Sequence, residues 1–130
     1  MRVLLADDHG IVRRGLKSLL EEADVAVVAE AADGLEAVRL CDEHRPDILI
    51  LDIGMPKLNG YDACRRIRQQ PWGKGMFLIA LTGWGQEEDR RRTEEAGFNH
   101  HIVKPVDPSV LMQMLSDRLP SGQAIQQAKG

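Results

Sequence analysis

Short apolar runs alternate along this chain with longer amphipathic ones. Five runs have the length and content of strands: "VLLAD" (Val3–Asp7), "VAVVAE" (Val25–Glu30), "DILILD" (Asp47–Asp52), "MFLIALT" (Met76–Thr82) and "NHHIV" (Asn99–Val103). Three are almost continuously apolar, which predicts strands covered on both faces. Between them the apolar positions recur at helical spacing. Ile11–Leu20 puts Val12, Leu16, Leu19 and Leu20 on one stripe. Asp33–His44 opens with Asp33-x-x-Glu36, the spacing of a capping box. Asn59 is placed to cap a helix running to about Arg68, and Asp107 before Pro108 starts another, Pro108–Leu119. The stretch 86–96, "QEEDRRRTEEA", has almost no apolar face. Its Glu87–Arg91 and Glu88–Arg92 pairs contribute only ~0.2–0.5 kcal/mol each, so this fourth helix is weakly held and easily moved.

Five strands alternating with five helices predict an α/β fold: a doubly wound three-layer sandwich around a parallel sheet. Right-handed crossovers restrict its topology. In the flavodoxin-like (βα)5 arrangement the sheet order is 2-1-3-4-5, and ligands bind beyond the carboxyl ends of strands 1 and 3, where the order reverses. Residues 1–119 form one domain on this reading, and 120–130, "PSGQAIQQAKG", a flexible tail too short to build an output domain.

Composition narrows the function. The 130 residues are 43% apolar and 28% charged, an ordinary globular balance. A net charge of −3 argues against direct nucleic-acid binding through a broad positive field. Cys41 and Cys64 lie far apart without metal-ligand spacing, and read as reduced core thiols. No apolar run is long enough to span a membrane, and the first strand meets acids too soon for a signal peptide, so the cytoplasm is the expected compartment.

The chemistry stands at the predicted strand ends. Asp7 and Asp8 end the first strand, Asp52 the third, Thr82 the fourth, and Lys104 follows the fifth. Three carboxylates converging on one crevice repel one another, and a hard divalent cation relieves the repulsion. Oxygen ligands suit Mg2+, which keeps waters and a substrate phosphate in its shell. One carboxylate can then attack phosphorus in line, while Lys104 pairs with the phosphoryl oxygens and Thr82 hydrogen-bonds to another. Taken singly, each residue has a plainer role as a turn former, a cap or a solvated charge. The conjunction of four strand ends favours the phosphoryl site.

The motifs "LLADD", "DILILDIGMPKLNGY", "LTG" and "HIVKP" resemble those of response-regulator receiver domains, from about Arg2 to Leu119. The first half is similar to receivers that precede helix-turn-helix output domains, the second to receivers of hybrid sensor kinases. The resemblance implies a phosphorelay component rather than an enzyme, with Asp52 as phosphoacceptor. It implies Mg2+ (or Mn2+) held by Asp8 directly, by Asp52 and the Gly54 carbonyl, with Asp7 nearer the water shell. It implies phosphoryl contacts from Thr82 and Lys104, a cis bond before Pro105, and a switch formed by Thr82 and His101. The phosphoryl donor would be a sensor histidine kinase or a histidine phosphotransfer domain. The output surface would lie around helix 4, strand 5 and helix 5, in a monomer or weak homodimer.

Two positions depart from the chemotaxis-type pattern. Gly54 has no side chain to orient a water, and Trp84 stands where that pattern has an acid, so the aspartyl phosphate is expected to be long-lived. An aspartyl-phosphate phosphatase of the haloacid dehalogenase type would need an acid two residues after its nucleophile, where "DIG" has glycine. A flavin carrier would need a hydroxyl-rich loop where Asp7 and Asp8 stand. A degenerate receiver, signalling without phosphorylation, would not need the intact set. The adjacent His100 and His101 point to opposite faces of a strand and are poorly placed to share a metal. The arginines at 90–92 read as a solvated face.

Overall fold

The computed structural model describes residues 1–83 and 87–118, without the side chains of 87–89 and 118. Trp84 and the expected tail lie outside the described residues. The strands are β1 (Arg2–Ala6), β2 (Ala26–Ala31), β3 (Ile48–Asp52), β4 (Phe77–Thr82) and β5 (His100–Val103). The helices are α1 (Gly10–Glu22), α2 (Gly34–His44), α3 (Gly60–Gln69), α4 (Glu87–Ala96) and α5 (Pro108–Arg118). A 3-10 turn at Pro71–Gly73, not expected from the pattern, leads into β4.

All neighbouring strands are parallel, in the order β2-β1-β3-β4-β5. This is the doubly wound, flavodoxin-like sandwich that the sequence predicts. β3 lies at the centre and every one of its residues is buried, as its unbroken apolar run requires. Its side chains alternate between two cores. Leu49 and Leu51 join Leu4, Leu78, Cys64 and Ile67 beneath α2 and α3. Ile48 and Ile50 join Leu5, Leu16, Leu20, Leu111 and Leu115 beneath α1 and α5. The stripe on α1 is used as predicted, with Leu16 and Leu20 fully inside and Val12 and Leu19 at the margin.

Helix starts follow their capping residues. Asn59 Oδ1 accepts from the Asp62 amide at 3.0 Å. Asp107 Oδ1 accepts from the Ser109 amide at 2.9 Å, with Pro108 as the first helical residue. At α2, Asp33 Oδ1 accepts from the Glu36 amide, but Glu36 reaches back to the amide of Ala32, one residue outside the reciprocal capping box. β5 starts one residue later than its apolar run suggests. Asn99 pairs with Leu78 through its own amide and through Oδ1, which accepts the Leu78 amide at 2.8 Å and so replaces a ladder bond.

α4 corrects the view of a helix without an inner face. Thr93 and Ala96 are buried one turn apart, a narrow seam of small residues. Thr93 Oγ1 donates to the Arg90 carbonyl, so its hydroxyl enters the interior satisfied. The Cys64 thiol donates to the Ala96 carbonyl at 3.3 Å. Burial pushes Cys41 up to about 12 and Cys64 to about 11, so both remain inert thiols, as expected. Among the described residues no helix is long and apolar enough to cross a membrane.

Candidate functional site

The sheet order reverses between β1 and β3, and the candidate residues gather just past that point. The last β1–β3 rung pairs Ala6 with Leu51, so Asp7 and Asp52 are the next residues along the same register. Both carboxylates are almost wholly buried. Each bends the loop that follows it by accepting the amide two residues on. Asp7 Oδ1 takes the His9 amide at 2.8 Å, and Asp52 Oδ1 takes the Gly54 amide at 3.2 Å. Each thus keeps Oδ2 facing inward. These two inner oxygens accept no well-directed hydrogen bond, and the Lys104 ammonium lies between them, 3.2 Å from Asp7 and 3.1 Å from Asp52.

Lys104 arrives from the end of β5. Its amide donates to the Thr82 carbonyl at 2.9 Å, continuing the β4–β5 ladder, and its bond to Pro105 is cis. Thr82 ends β4 fully buried beside it. Gly54 sits on the open rim with no atom within 4 Å of where a Cβ would stand. Asp8 lies on the outer side, about a third exposed. His101 is half-buried on β5, opposite Ala80, and does not line the cavity beside Asp52. His100 is exposed and its ring lies 5.5 Å from Phe77, so the two histidines do diverge.

The electrostatics are those of a site short of positive charge. Burial, and then the neighbouring Asp7 charge, raise the Asp52 carboxyl above its ordinary range, against Lys104 and the Gly54 amide, which pull it down. Burial lowers the Lys104 ammonium, but Asp52 and Asp7 more than offset this and its pKa ends raised. One ammonium therefore serves two buried carboxylates, with Asp8 on the outer side of the same cluster. The two buried oxygens without hydrogen bonds, and a donor set rich in oxygen, fit a small divalent cation.

Three features escaped the sequence reading. The His9 imidazole Nδ1 stands 3.0 Å from Asp7 Oδ1, 3.3 Å from Asp8 Oδ1 and 3.9 Å from Asp52 Oδ2. Its place directly after the acid pair was the available signal. Arg92, one of three arginines expected on a solvated face, stacks its guanidinium 4.2 Å from the Tyr61 ring. Both residues line an open cavity of about 380 Å³ over Asp52, Gly54 and Lys104. Finally, Arg13 crosses from α1 to the Asp7 carbonyl at 2.6 Å and to Glu30 at 3.0 Å, fixing the loop that carries the acids. No period or motif announces that contact.

The model of the response regulator receiver domain matches residues 3–116. The chain belongs to the response-regulator receiver family. Among its relatives, the chemotaxis protein CheY of Halobacterium salinarum is 36% identical over 118 residues, covering 91% of this chain and 96% of that one. A two-component response regulator of the LuxR family from Aurantimonas shares 37% identity at a TM-score of 0.82, over 98% of this receiver and 89% of that chain. The receiver domain of a sensor histidine kinase from Pseudomonas aeruginosa shares 32% identity at the same TM-score, 0.82, over 89% and 94% of the two chains. That structure has a magnesium ion coordinated in its active-site cleft.

Proposed function

We propose that this receiver accepts a phosphoryl group on Asp52 from the phosphohistidine of a sensor histidine kinase or histidine phosphotransfer domain. The observation that carries the reading is the Asp52 Oδ2 atom. It is buried, accepts no hydrogen bond, lies 3.1 Å from the Lys104 ammonium, and belongs to a residue lining the open cavity. An Asp52 oxygen attacks phosphorus in line, the P–N bond to the donor imidazole breaks as the P–O bond forms, and the imidazole departs. Lys104 follows the transferred charge from the carboxylate to the phosphoryl oxygens. The Thr82 hydroxyl hydrogen-bonds to another phosphoryl oxygen.

Asp7, Asp8, Asp52 and the Gly54 carbonyl would hold Mg2+ or Mn2+, with Asp8 ligating directly and Asp7 acting nearer the water shell. When bound, the ion neutralises the acids and the incoming phosphoryl charge and so lowers the barrier to their approach. The chain's own residues do the positioning. The Gly54 amide orients Asp52, and Arg13 anchors the acid-bearing loop.

Phosphorylation shifts Thr82 toward the phosphoryl group and His101 inward, changing the surface of α4, β5 and α5. The narrow seam of α4 supports its movement. Gly54 places no side chain over Asp52, which supports a long phosphoryl lifetime; Trp84 is the second residue proposed to set it. The buried free thiols fit a reducing compartment, the cytoplasm. The test is incubation with acetyl phosphate and Mg2+, followed by intact-mass measurement. Wild type is expected to gain a single phosphoryl adduct and Asp52→Asn none; an unmodified wild type overturns the reading.

A further inference from the structure

We infer that His9 makes this a mixed nitrogen and oxygen site, selective for a divalent transition ion such as Ni2+ over Mg2+. The inference rests on the reading that the acids face a cation, and it adds to that reading a ligand and a selectivity.

Geometry comes first. Donor atoms around an ion at about 2.0–2.2 Å stand about 3–4.3 Å apart, depending on whether they are adjacent or opposite. His9 Nδ1 lies 3.0, 3.3 and 3.9 Å from one oxygen each of Asp7, Asp8 and Asp52. All three separations fall in that window, and the four donors lie within 4.8 Å of one another. The 3.0 Å contact is a hydrogen bond from Nδ1–H to Asp7 Oδ1, so joining the carboxylates around one ion needs the Nε2–H tautomer but no new rotamer.

The second observation is independent of the imidazole. Asp7 and Asp52 are each more than nine-tenths buried, and the Oδ2 atom of each accepts no hydrogen bond. Such oxygens are costly to bury and call for a positive partner beyond the single Lys104. The two edges of the site differ. Asp52 closes it from below, whereas the His9 side chain is 63% exposed and leaves the outer face open to water or a phosphate.

Ligand chemistry then sets the preference. Mg2+ is hard and is held through oxygen, so an imidazole adds little to its binding. Ni2+ is well suited to imidazole nitrogen alongside carboxylate oxygen, whereas Mn2+ stands nearer Mg2+ in preference and serves as a spectroscopic probe of whether the nitrogen is bound. His9 also caps α1 from an extended backbone, which fixes its Cα beside the acid loop without using its side chain as a cap.

The test is calorimetric titration of the whole chain with Mg2+ and, separately, Ni2+. The variants are His9→Asn, which keeps a good N-cap residue, and Asp52→Asn. Wild type is expected to bind Ni2+ at least about 100-fold more tightly than Mg2+. His9→Asn should weaken Ni2+ by about tenfold or more and Mg2+ by less than about threefold. With Mn2+, pulsed EPR should detect a coupled nitrogen in wild type that is lost in His9→Asn. Equal loss of both ions, an unchanged Ni2+ affinity, or Mn2+ without a coupled nitrogen overturns the role of His9. The broader reading fails separately, if Asp52→Asn leaves both affinities unchanged.

Discussion

Asp7 and Asp52 occupy adjacent positions of one parallel register and are built as a matched pair. Each gives Oδ1 to the amide two residues ahead and turns Oδ2 toward the same ammonium, Lys104, at 3.2 and 3.1 Å. The fold thereby holds two buried acids side by side with one cation between them. That arrangement is poor for stability and well suited to a reaction that brings a second cation and a phosphoryl group.

The cost shows in Asp52. Burial and the Asp7 charge raise its pKa in the fold above the ordinary 3.8. A raised folded pKa means that the protonated form is favoured in the native state. Its stabilising contribution is full below the unfolded pKa and is lost as pH rises through the folded one. In EDTA, Asp52→Asn is therefore expected to melt several degrees above wild type at pH 7, with a smaller gap at pH 4. Thermal denaturation of both proteins across that range checks it; a gap that closes as pH rises contradicts the sign.

Lys104 opposes the same repulsion. Lys104→Met leaves two buried carboxylates facing each other, and should lower stability by ~1–3 kcal/mol, discounted for the partial exposure of the ammonium. Without the competing ammonium, Mg2+ should bind several-fold more tightly, although phosphoryl transfer is lost. Urea unfolding and calorimetry measure the two effects, which are expected to run in opposite directions.

Arg68 fastens the far end of the sheet. Its guanidinium donates to the carbonyls of Gly97, Gly73, Lys74 and Met76 and to Asn99 Oδ1, between 2.7 and 3.2 Å. Arg68→Ala should cost ~2–4 kcal/mol, because several carbonyls lose a charged donor at once. Arg68→Lys should recover only part of this, since an ammonium cannot reproduce the fork. Urea midpoints rank the three proteins; equal stability of the Lys variant and wild type would remove the argument from geometry.

Gly60 starts α3 against the site. A Cβ there would stand 2.7 Å from both the Asp52 carbonyl oxygen and the Ile53 Cα, so the β3–α3 loop would have to move. Gly60→Ala should destabilise by ~1–3 kcal/mol and slow adduct formation by acetyl phosphate more than it lowers stability alone would explain. The rate at saturating Mg2+, measured well below the melting temperature, separates the two.

The layers and the sheet order were legible because strand and helix periods differ and the three inner strands are almost continuously apolar. The convergence of Asp7, Asp8, Asp52, Thr82 and Lys104 followed from topology, since residues at carboxyl ends of parallel strands must meet. What stayed hidden depends on side-chain direction. Arg92 is one of three consecutive arginines, and only the turn of α4 decides that it meets Tyr61. His9 lies one residue past the acids, where a loop rather than a strand sets its course. Arg68 falls at a helix end, where its reach to four carbonyls has no signature in spacing.

The central claim is that the phosphoryl group resides on Asp52. Borohydride reduction of the protein after acetyl phosphate and Mg2+ treatment converts a phosphorylated aspartate to homoserine, which peptide mass mapping locates. The account predicts homoserine at position 52 and at no other carboxylate, and none when Mg2+ is replaced by EDTA. Homoserine at position 7 or 8 with an unchanged Asp52 would contradict it.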